Sequence, residues 1–554
     1  MARYEEKILN WFPAFLILGA VFLVIYSPLQ LGVRELYWQE GYYAIQSTEI
    51  KYLLPITFAH GVVIQNSFPF YPLLVSLLTD LGIPLEFALR AISVMSTAGI
   101  ACMVWAAGRS AGGLQAAAIA SAVMISSNII IEKSMDGYPN TLMLFFLTAA
   151  WLMWFTFGAG RGNWNKAWIA SMFFCGLAFY TMGFVVLIYF FLPLIFMRRP
   201  LTLWPRLRKP GFAVGIMIFL GFVLLWALPH IIYARSVPIK YMSFEPKPLF
   251  EYFEHFLGFP LDVIVRFMPW TILAWAPFCV AFHPLDKAPI FSRFLRTIFV
   301  SLFFLLWLSP FSEPRDILLL VPSLAIMTGL NYWLLIRRYG WTIQRFLNFL
   351  PWLPIACGAV IFSFYFANHE WWKPLITMSR GICFREVMQY KILGYVASIA
   401  AAVSGALLLA VRRKPPIWIY ILILLCGPLL FFWSVTMPYK AQANEKRTLG
   451  ANLREVLEKD KVPASATIYK GGIQGLYGEL LYMGYKVKKI RKLEELPSKK
   501  KVVYLIDTEF PQVPGRHWKN MLPSDMSYRK QRICLWKGTL ISKKRHFKKW
   551  PRYE

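Results

Sequence analysis

The feature that most constrains this chain is the recurrence of apolar runs with few charges, many of them about 20 residues long, set apart by polar loops. A run of that length crosses a bilayer as a helix, because in lipid every backbone amide and carbonyl must find its partner inside the segment. Such runs cover residues 11–30, 85–107, 114–131, 140–158, 211–233, 269–282, 294–308, 316–336, 346–367, 392–411 and 417–435. The stretch 167–197 is too long for one crossing and carries Thr181-Met182-Gly183 near its middle, so it reads as two helices joined there. The expectation is an α-helical polytopic membrane protein with about thirteen transmembrane helices. No small-residue cleavage site follows the first run, which makes it a retained helix and not a signal peptide.

Lys and Arg are biased toward alternate loops. Arg3 and Lys7, Arg109, Arg161 with Lys166, residues 198–209, 287–296 and 337–345, and Arg412-Arg413-Lys414 fall on one side, which is therefore cytoplasmic. The loops holding Glu40 and Asp136, with 233–268, 309–315 and 369–391, face outward. An odd number of spans from a cytoplasmic N-terminus also places the C-terminal part outside. The setting this predicts is a bacterial-type inner (plasma) membrane, with the C-terminal domain periplasmic.

From Lys440 the composition turns soluble. Residues 1–438 are read as the membrane module, including a first outer loop at 31–72, and 439–554 as a small basic α/β domain. Within the latter the pattern predicts helices over 452–459 and 471–482 and strands at 467–470, 486–490 and 502–506. Its end, Lys543-Lys544-Arg545-His546-Phe547-Lys548-Lys549-Trp550, suits an anionic lipid or glycan, since each basic residue near such a surface contributes ~1 kcal/mol. The formal charge of +30 points the same way. In a chain that is 57% hydrophobic it does not point to nucleic acid. The seven cysteines have neither paired nor metal-ligand spacing, which argues against a disulfide framework.

The loop 31–72 is the densest in chemistry. Arg34, Glu35, Glu40, Glu49, Lys51 and His60 crowd among aromatic residues at a bilayer surface, a setting suited to work on a lipid headgroup. The next outer loop brings Asp136. A second acid–base pair, Glu254-His255, stands in an amphipathic segment, 249–259, expected to lie along the membrane and to stop at Pro260.

Several motifs carry a family resemblance. They are Glu40-Gly41-Tyr42-Tyr43-Ala44 after the first span, Phe68-Pro69-Phe70-Tyr71-Pro72 before the second, Ala88-Leu89-Arg90, Asp136 before the fourth, and Ser312-Glu313-Pro314-Arg315 with Pro322 after the ninth. With the terminal α/β domain, they make the chain resemble the polyprenyl-phosphate-sugar-dependent glycosyltransferases of the C superfamily. The lipid A aminoarabinose transferases and protein O-mannosyltransferases belong there.

The resemblance implies transfer of a sugar, with inversion, from polyprenyl (undecaprenyl) phosphate to a glycolipid such as lipid A, a glycan or a protein at the outer face. It implies Glu40 and Asp136 as catalytic carboxylates, which could share one divalent cation. Arg315 leads as holder of the donor phosphate, with Arg90, Lys51, His60 and Arg266 behind it, and Gln39, Tyr43 and Trp38 would contact substrate. Three positions depart from the family pattern: Gln39 replaces an Asp, Ser67-Phe68 replaces Glu-Lys, and Met182 replaces a Lys. An amide at 39 cannot take a proton, which leans toward an acceptor that is already anionic. A flippase of lipid-linked sugars, a polysaccharide ligase or polymerase, and an inactive relative are the competing readings.

Overall fold

The computed structural model describes residues 34–37, 39–52, 55–64, 67–234, 248–366, 391–411, 415–436, 444–473, 475–490, 492–498, 500–522, 527–528 and 531–540. The expected first span, Trp38 and the basic C-terminal end lie outside the described residues. The chain forms two compact units: Met1–Glu35, Ile50–Ile56 and Gln65–Ala443 make one, and Leu36–Glu49, Thr57–Ile64 and Asn444–Glu554 the other. Two pieces of the first outer loop thus fold with the chain from Asn444 onward.

The first unit is helical. Among the described residues six helices are long and apolar enough to cross a membrane, or seven if a bent pair forms one span. The expected count of about thirteen is therefore not reproduced at that length and apolarity. Some of the remaining runs form shorter apolar helices, Leu114–Ser126, Val185–Ile195 and Gly394–Ala410 among them, and a further one, Phe70–Asp80, stands where no span was expected. The run 167–197 is two helices, Trp164–Met182 and Val185–Ile195, parted at Gly183. Gly183 has φ +87°, a conformation that side chains rarely adopt, and a Cβ there would meet the Phe68 ring at 2.2 Å.

Two expectations fail at prolines, in opposite senses. The run 269–282 does not form one continuous helix: it breaks into Thr271–Ala274, Ala276–Phe278 and Val280–Leu285, because Pro277 and Pro284 withhold amide donors from any longer helix. The segment expected to stop at Pro260 instead continues as one helix, Leu249–Arg266. Pro260 cannot donate to the carbonyl of Phe256, but the indole N–H of Trp307 takes that place at 2.7 Å. The helix survives because the missing donor is supplied from a neighbour.

The second unit is built on a five-stranded sheet. A short hairpin, β1 (Phe58–Ala59) and β2 (Val62–Val63), comes from the first outer loop. The sheet holds β3 (Thr467–Lys470), β4 (Lys486–Lys489), β5 (Val502–Asp507), β6 (Arg516–Asn520) and β9 (Cys534–Leu540), in the order β4-β3-β5-β9-β6. A separate ladder pairs β7 (Ser527–Tyr528) with β8 (Gln531–Arg532). β3, β4 and β5 run parallel, whereas β9 is antiparallel to both its neighbours. Helix Glu445–Lys459 turns Leu449, Leu453 and Leu457, spaced by four, into a core with Ile468, Val487, Ile506 and Leu535. The expected helix over 471–482 begins only at Tyr477, since Gly471, Gly472 and Gly475 favour a turn over a helix.

Asp460 ties that helix to the sheet. Its carboxylate accepts from Lys537 Nζ at 2.6 Å and from the Tyr504 hydroxyl at 2.5 Å. Burial pushes the carboxyl up, but Lys537 and Tyr504, with Lys519 beyond, outweigh it and hold it below the usual carboxylate range. A depressed folded pKa gives stability that is present above the unfolded value and is lost as pH falls through the folded one. Hydrogen exchange of the full chain should therefore show β5 and β9 loosening as pH drops below about 4, and Asp460→Asn should remove that acid dependence.

Candidate functional site

Asp136 lies in the turn between helices Asn128–Lys133 and Asn140–Met153. The turn is fixed by its own backbone: the Asp136 amide donates to Lys133 O at 3.3 Å and the Tyr138 amide to Asp136 O at 2.9 Å. Ser93 Oγ, from helix Leu85–Gly112, donates to the Tyr138 carbonyl at 3.1 Å. The carboxylate is 7% exposed and pairs with the Arg34 guanidinium at 3.3 Å. Arg34 is held in turn by Arg90, which is fully buried and donates to the carbonyls of Arg34 and Glu35 at 3.1 and 3.0 Å.

Arg315 approaches the same turn from another part of the unit. Its guanidinium lies 3.6 Å from the centre of the Tyr138 ring, a cation–π distance. Its Nε is buried and has no hydrogen-bond partner among the described residues. Local sequence explains why a cation stands there unpaired. Glu313 and Asp316 cap one another at the start of the helical turn Pro314–Leu320, each carboxylate accepting a backbone amide of that turn. Neither of these neighbouring acids forms an ion pair with Arg315. Arg90, Arg34 and Asp136 are thus linked in a chain of direct contacts, and Arg315 lies over Tyr138 in the same turn as Asp136.

The second-rank cations are placed differently. Arg266 is matched by two acids, Asp262 at 2.8 Å and Glu132 at 3.2 Å, in a network that joins two helices. Lys51 is exposed, with its ammonium 4.4 Å from the Tyr233 ring. His255 reaches Ser312 Oγ at 2.9 Å and the Leu306 carbonyl at 3.2 Å. Both contacts are made by Nε2, and they fasten helix Leu249–Arg266 to its neighbour. Glu254 is exposed and is not part of that contact.

Two of the departures from the family pattern meet in space. Phe68 fills the hollow left by the absent side chain of Gly183. It stacks on Trp226 with centroids 5.2 Å apart and meets Phe179 edge-on at 5.6 Å. Position 68, where the resemblance expects a lysine, is part of an aromatic cluster.

Glu40, Gln39, Tyr43 and His60 belong to the second unit. Glu40 begins helix Glu40–Thr48, is fully buried, and accepts the Tyr37 amide at 2.8 Å. The loop before it is pinned by C-terminal residues: the Tyr482 hydroxyl accepts the Leu36 amide at 2.9 Å, and Lys446 Nζ donates to the Leu36 carbonyl at 2.6 Å. A Cβ on Gly41 would strike the Gly478 amide at 2.5 Å, so the two backbones meet closely. Gln39 caps the helix with its carbonyl, accepting from Tyr42 at 2.9 Å and Tyr43 at 3.3 Å. Tyr43 meets Tyr42 edge-on at 5.6 Å. Sequence reading missed Lys446 and Tyr482 as partners of this loop, since neither stands in any local pattern that marks it. No group of three or more His, Cys, Asp or Glu able to hold a metal occurs among the described residues. With Asp136 paired to Arg34, the described residues do not fit the divalent cation considered from sequence.

The fold is shared with known proteins. ArnT from Cupriavidus metallidurans bound to undecaprenyl phosphate superposes with a TM-score of 0.65 at 16% identity, over 95% of this chain and 97% of that one. The apo state of that protein gives the same score over 96% and 98%. The oligosaccharyltransferase of Archaeoglobus fulgidus in its apo form is a fainter likeness, with a TM-score of 0.41 at 10% identity over 86% and 65%. No family model and no curated protein matches the chain. The chain therefore shares the fold of ArnT, and the apolar helices make this a membrane protein.

Proposed function

We propose that the chain is an inverting glycosyltransferase that moves a sugar from a polyprenyl-phosphate donor to an acceptor at the outer membrane face. The observation that carries this reading is Arg315, an unpaired guanidinium over Tyr138 beside the Asp136–Arg34 pair. In the reaction the bond from the anomeric carbon to the donor phosphate oxygen breaks, and one from that carbon to the acceptor oxygen forms. The polyprenyl phosphate leaves carrying one more negative charge. A guanidinium placed where that charge develops lowers the barrier more than one already neutralised by an acid. Asp136, with Arg34 on its carboxylate, orients Arg34 and the turn around Tyr138 and is not the proton acceptor in this scheme. The base role expected of Glu40 and the preference for an anionic acceptor expected from Gln39 remain part of the proposal.

The test is an assay of the purified protein with radiolabelled polyprenyl-phosphate sugars and a panel of lipid, glycan and peptide acceptors. Transfer of label is expected, with Asp136→Asn reducing kcat by about tenfold or more through loss of the Arg34 contact. Glu40→Gln goes through the same assay. Label that crosses the membrane in proteoliposomes without reaching any acceptor would favour the flippase reading.

A further inference from the structure

The carboxyl ends of β3 and β4 bring two lysines side by side. Lys470 ends β3, Lys489 ends β4, and the two are register partners. In open sheets with parallel strands, ligands collect outside the carboxyl ends. Lys470 is 2% exposed. Its ammonium donates to the Gly475 carbonyl, in the glycine-rich turn that follows β3, and lies 4.9 Å from the Tyr477 ring. Among the described residues it has no ion-pair partner, and Glu479 acts on it only from a distance. Lys489 is exposed.

His60 stacks on the same Tyr477 ring, with centroids 5.7 Å apart and planes within 6°. Its carbonyl accepts the Lys489 amide at 2.9 Å, which fastens the hairpin tip to the lysine end of the sheet. The imidazole is 3% exposed, and its Nε2 has no hydrogen-bond partner among the described residues. The turn itself does not call for histidine. His60 and Gly61 have φ of 54° and 71°, a pair of positions that Asn and Gly occupy with less strain. Burial together with Lys470 and Lys489 pushes the imidazole down to about 3, and burial with Lys489 pushes the Lys470 ammonium down to about 8. Basic groups are thus gathered at one strand end around a buried ring nitrogen with an unmet hydrogen bond; of the acids nearby, Glu49 is taken up by the Gly61 amide at 2.9 Å, Asp507 lies beside Gly471 at the end of β5, and neither forms an ion pair with these basic groups among the described residues.

We propose that the second unit binds a phosphate-type anion through His60, Lys470 and Lys489 at the carboxyl ends of β3 and β4. Every residue involved lies in that unit, so the proposal does not depend on the transferase reading. The anion could be a free phosphate or the headgroup of an anionic lipid, since the recognising chemistry is the same.

The experiment uses the full chain in nanodiscs of zwitterionic lipid, titrated with inorganic pyrophosphate by calorimetry. A parallel preparation with phosphatidic acid in the bilayer is followed by hydrogen exchange over β3 and β4. Saturable binding or lipid-dependent protection is expected, weakened about tenfold or more in both His60→Asn and Lys470→Met. His60→Asn suits the left-handed turn, so weakened binding at an unchanged thermal midpoint is not unfolding. A response to pyrophosphate assigns a free anion, and a response to phosphatidic acid alone assigns a lipid headgroup. No saturable response in either preparation, or one that both variants keep, overturns the proposal.

Discussion

Arg315→Ala is expected to slow sugar transfer by about 10²- to 10³-fold while leaving the thermal midpoint close to wild type. The large kinetic effect follows from where charge appears. The leaving phosphate gains a full negative charge as the glycosidic bond breaks, and in a water-poor site that charge needs a cation already in position. Arg315 is in position at no expense to an ion pair: Glu313 and Asp316 are occupied in capping, and Tyr138 supplies only a ring face. The small effect on stability follows from the same facts, because a cation–π contact at a partly exposed site contributes about 0.5–1 kcal/mol. Arg315→Lys should restore part of the rate, since an ammonium keeps the charge but not the planar two-pronged donor. The measurement is kcat with a saturating donor. A rate within about threefold of wild type in Arg315→Ala would remove Arg315 from the site.

How much of this could be read beforehand divides along physical lines. The helices carried by uninterrupted apolar runs were legible, because bilayer thickness fixes their length and little else competes. Where proline enters, local rules gave the wrong answer twice. Pro260 is tolerated only because Trp307, 47 positions on in sequence, supplies the absent donor. The converse held at 269–282, where apolarity alone looked like one continuous helix and Pro277 and Pro284 broke it. Strands β3 and β5 were legible from short β-branched and aromatic runs, and β4 from a weaker pattern around Val487 and Ile490. β6 and β9 were not: Arg516–Asn520 reads Arg-His-Trp-Lys-Asn, and its place in the sheet comes from pairing with β9.

The candidate site was legible in its members more than in its organisation. Asp136, Arg90 and Arg315 could be named from motifs; Asp136 shares a turn with Tyr138, Arg315 lies over the Tyr138 ring, and Arg90 holds the Arg34 carbonyl. Arg34, the direct partner of Asp136, was noticed only as part of a crowded loop. The division of that loop between two units could not be foreseen, because Lys446 and Tyr482 are far from Leu36 in sequence. Burial at Glu40 and His60 likewise depends on C-terminal residues that no spacing rule connects to them.

Arg90→Met is the second large expectation, and its effect should fall on stability first. Arg90 is fully buried and donates to the carbonyls of Arg34 and Glu35. Methionine fills much of the same volume but leaves buried carbonyls without these donors, each at about 1–3 kcal/mol. The expected loss is ~3 kcal/mol or more, read as a lower midpoint of unfolding in detergent. Because Arg34 carries the contact to Asp136, activity should fall as well, mostly through kcat. Arg90→Lys should recover little, since one ammonium on a different stem cannot reproduce two guanidinium bonds to adjacent carbonyls. The alternative role, holding the donor phosphate, predicts the opposite pattern: an unchanged midpoint with a raised KM for donor. A guanidinium already committed to two peptide carbonyls has little left to offer a ligand, so the structural pattern is the one expected. Observing the other would move Arg90 into the binding machinery and leave Arg34 to be positioned by something else.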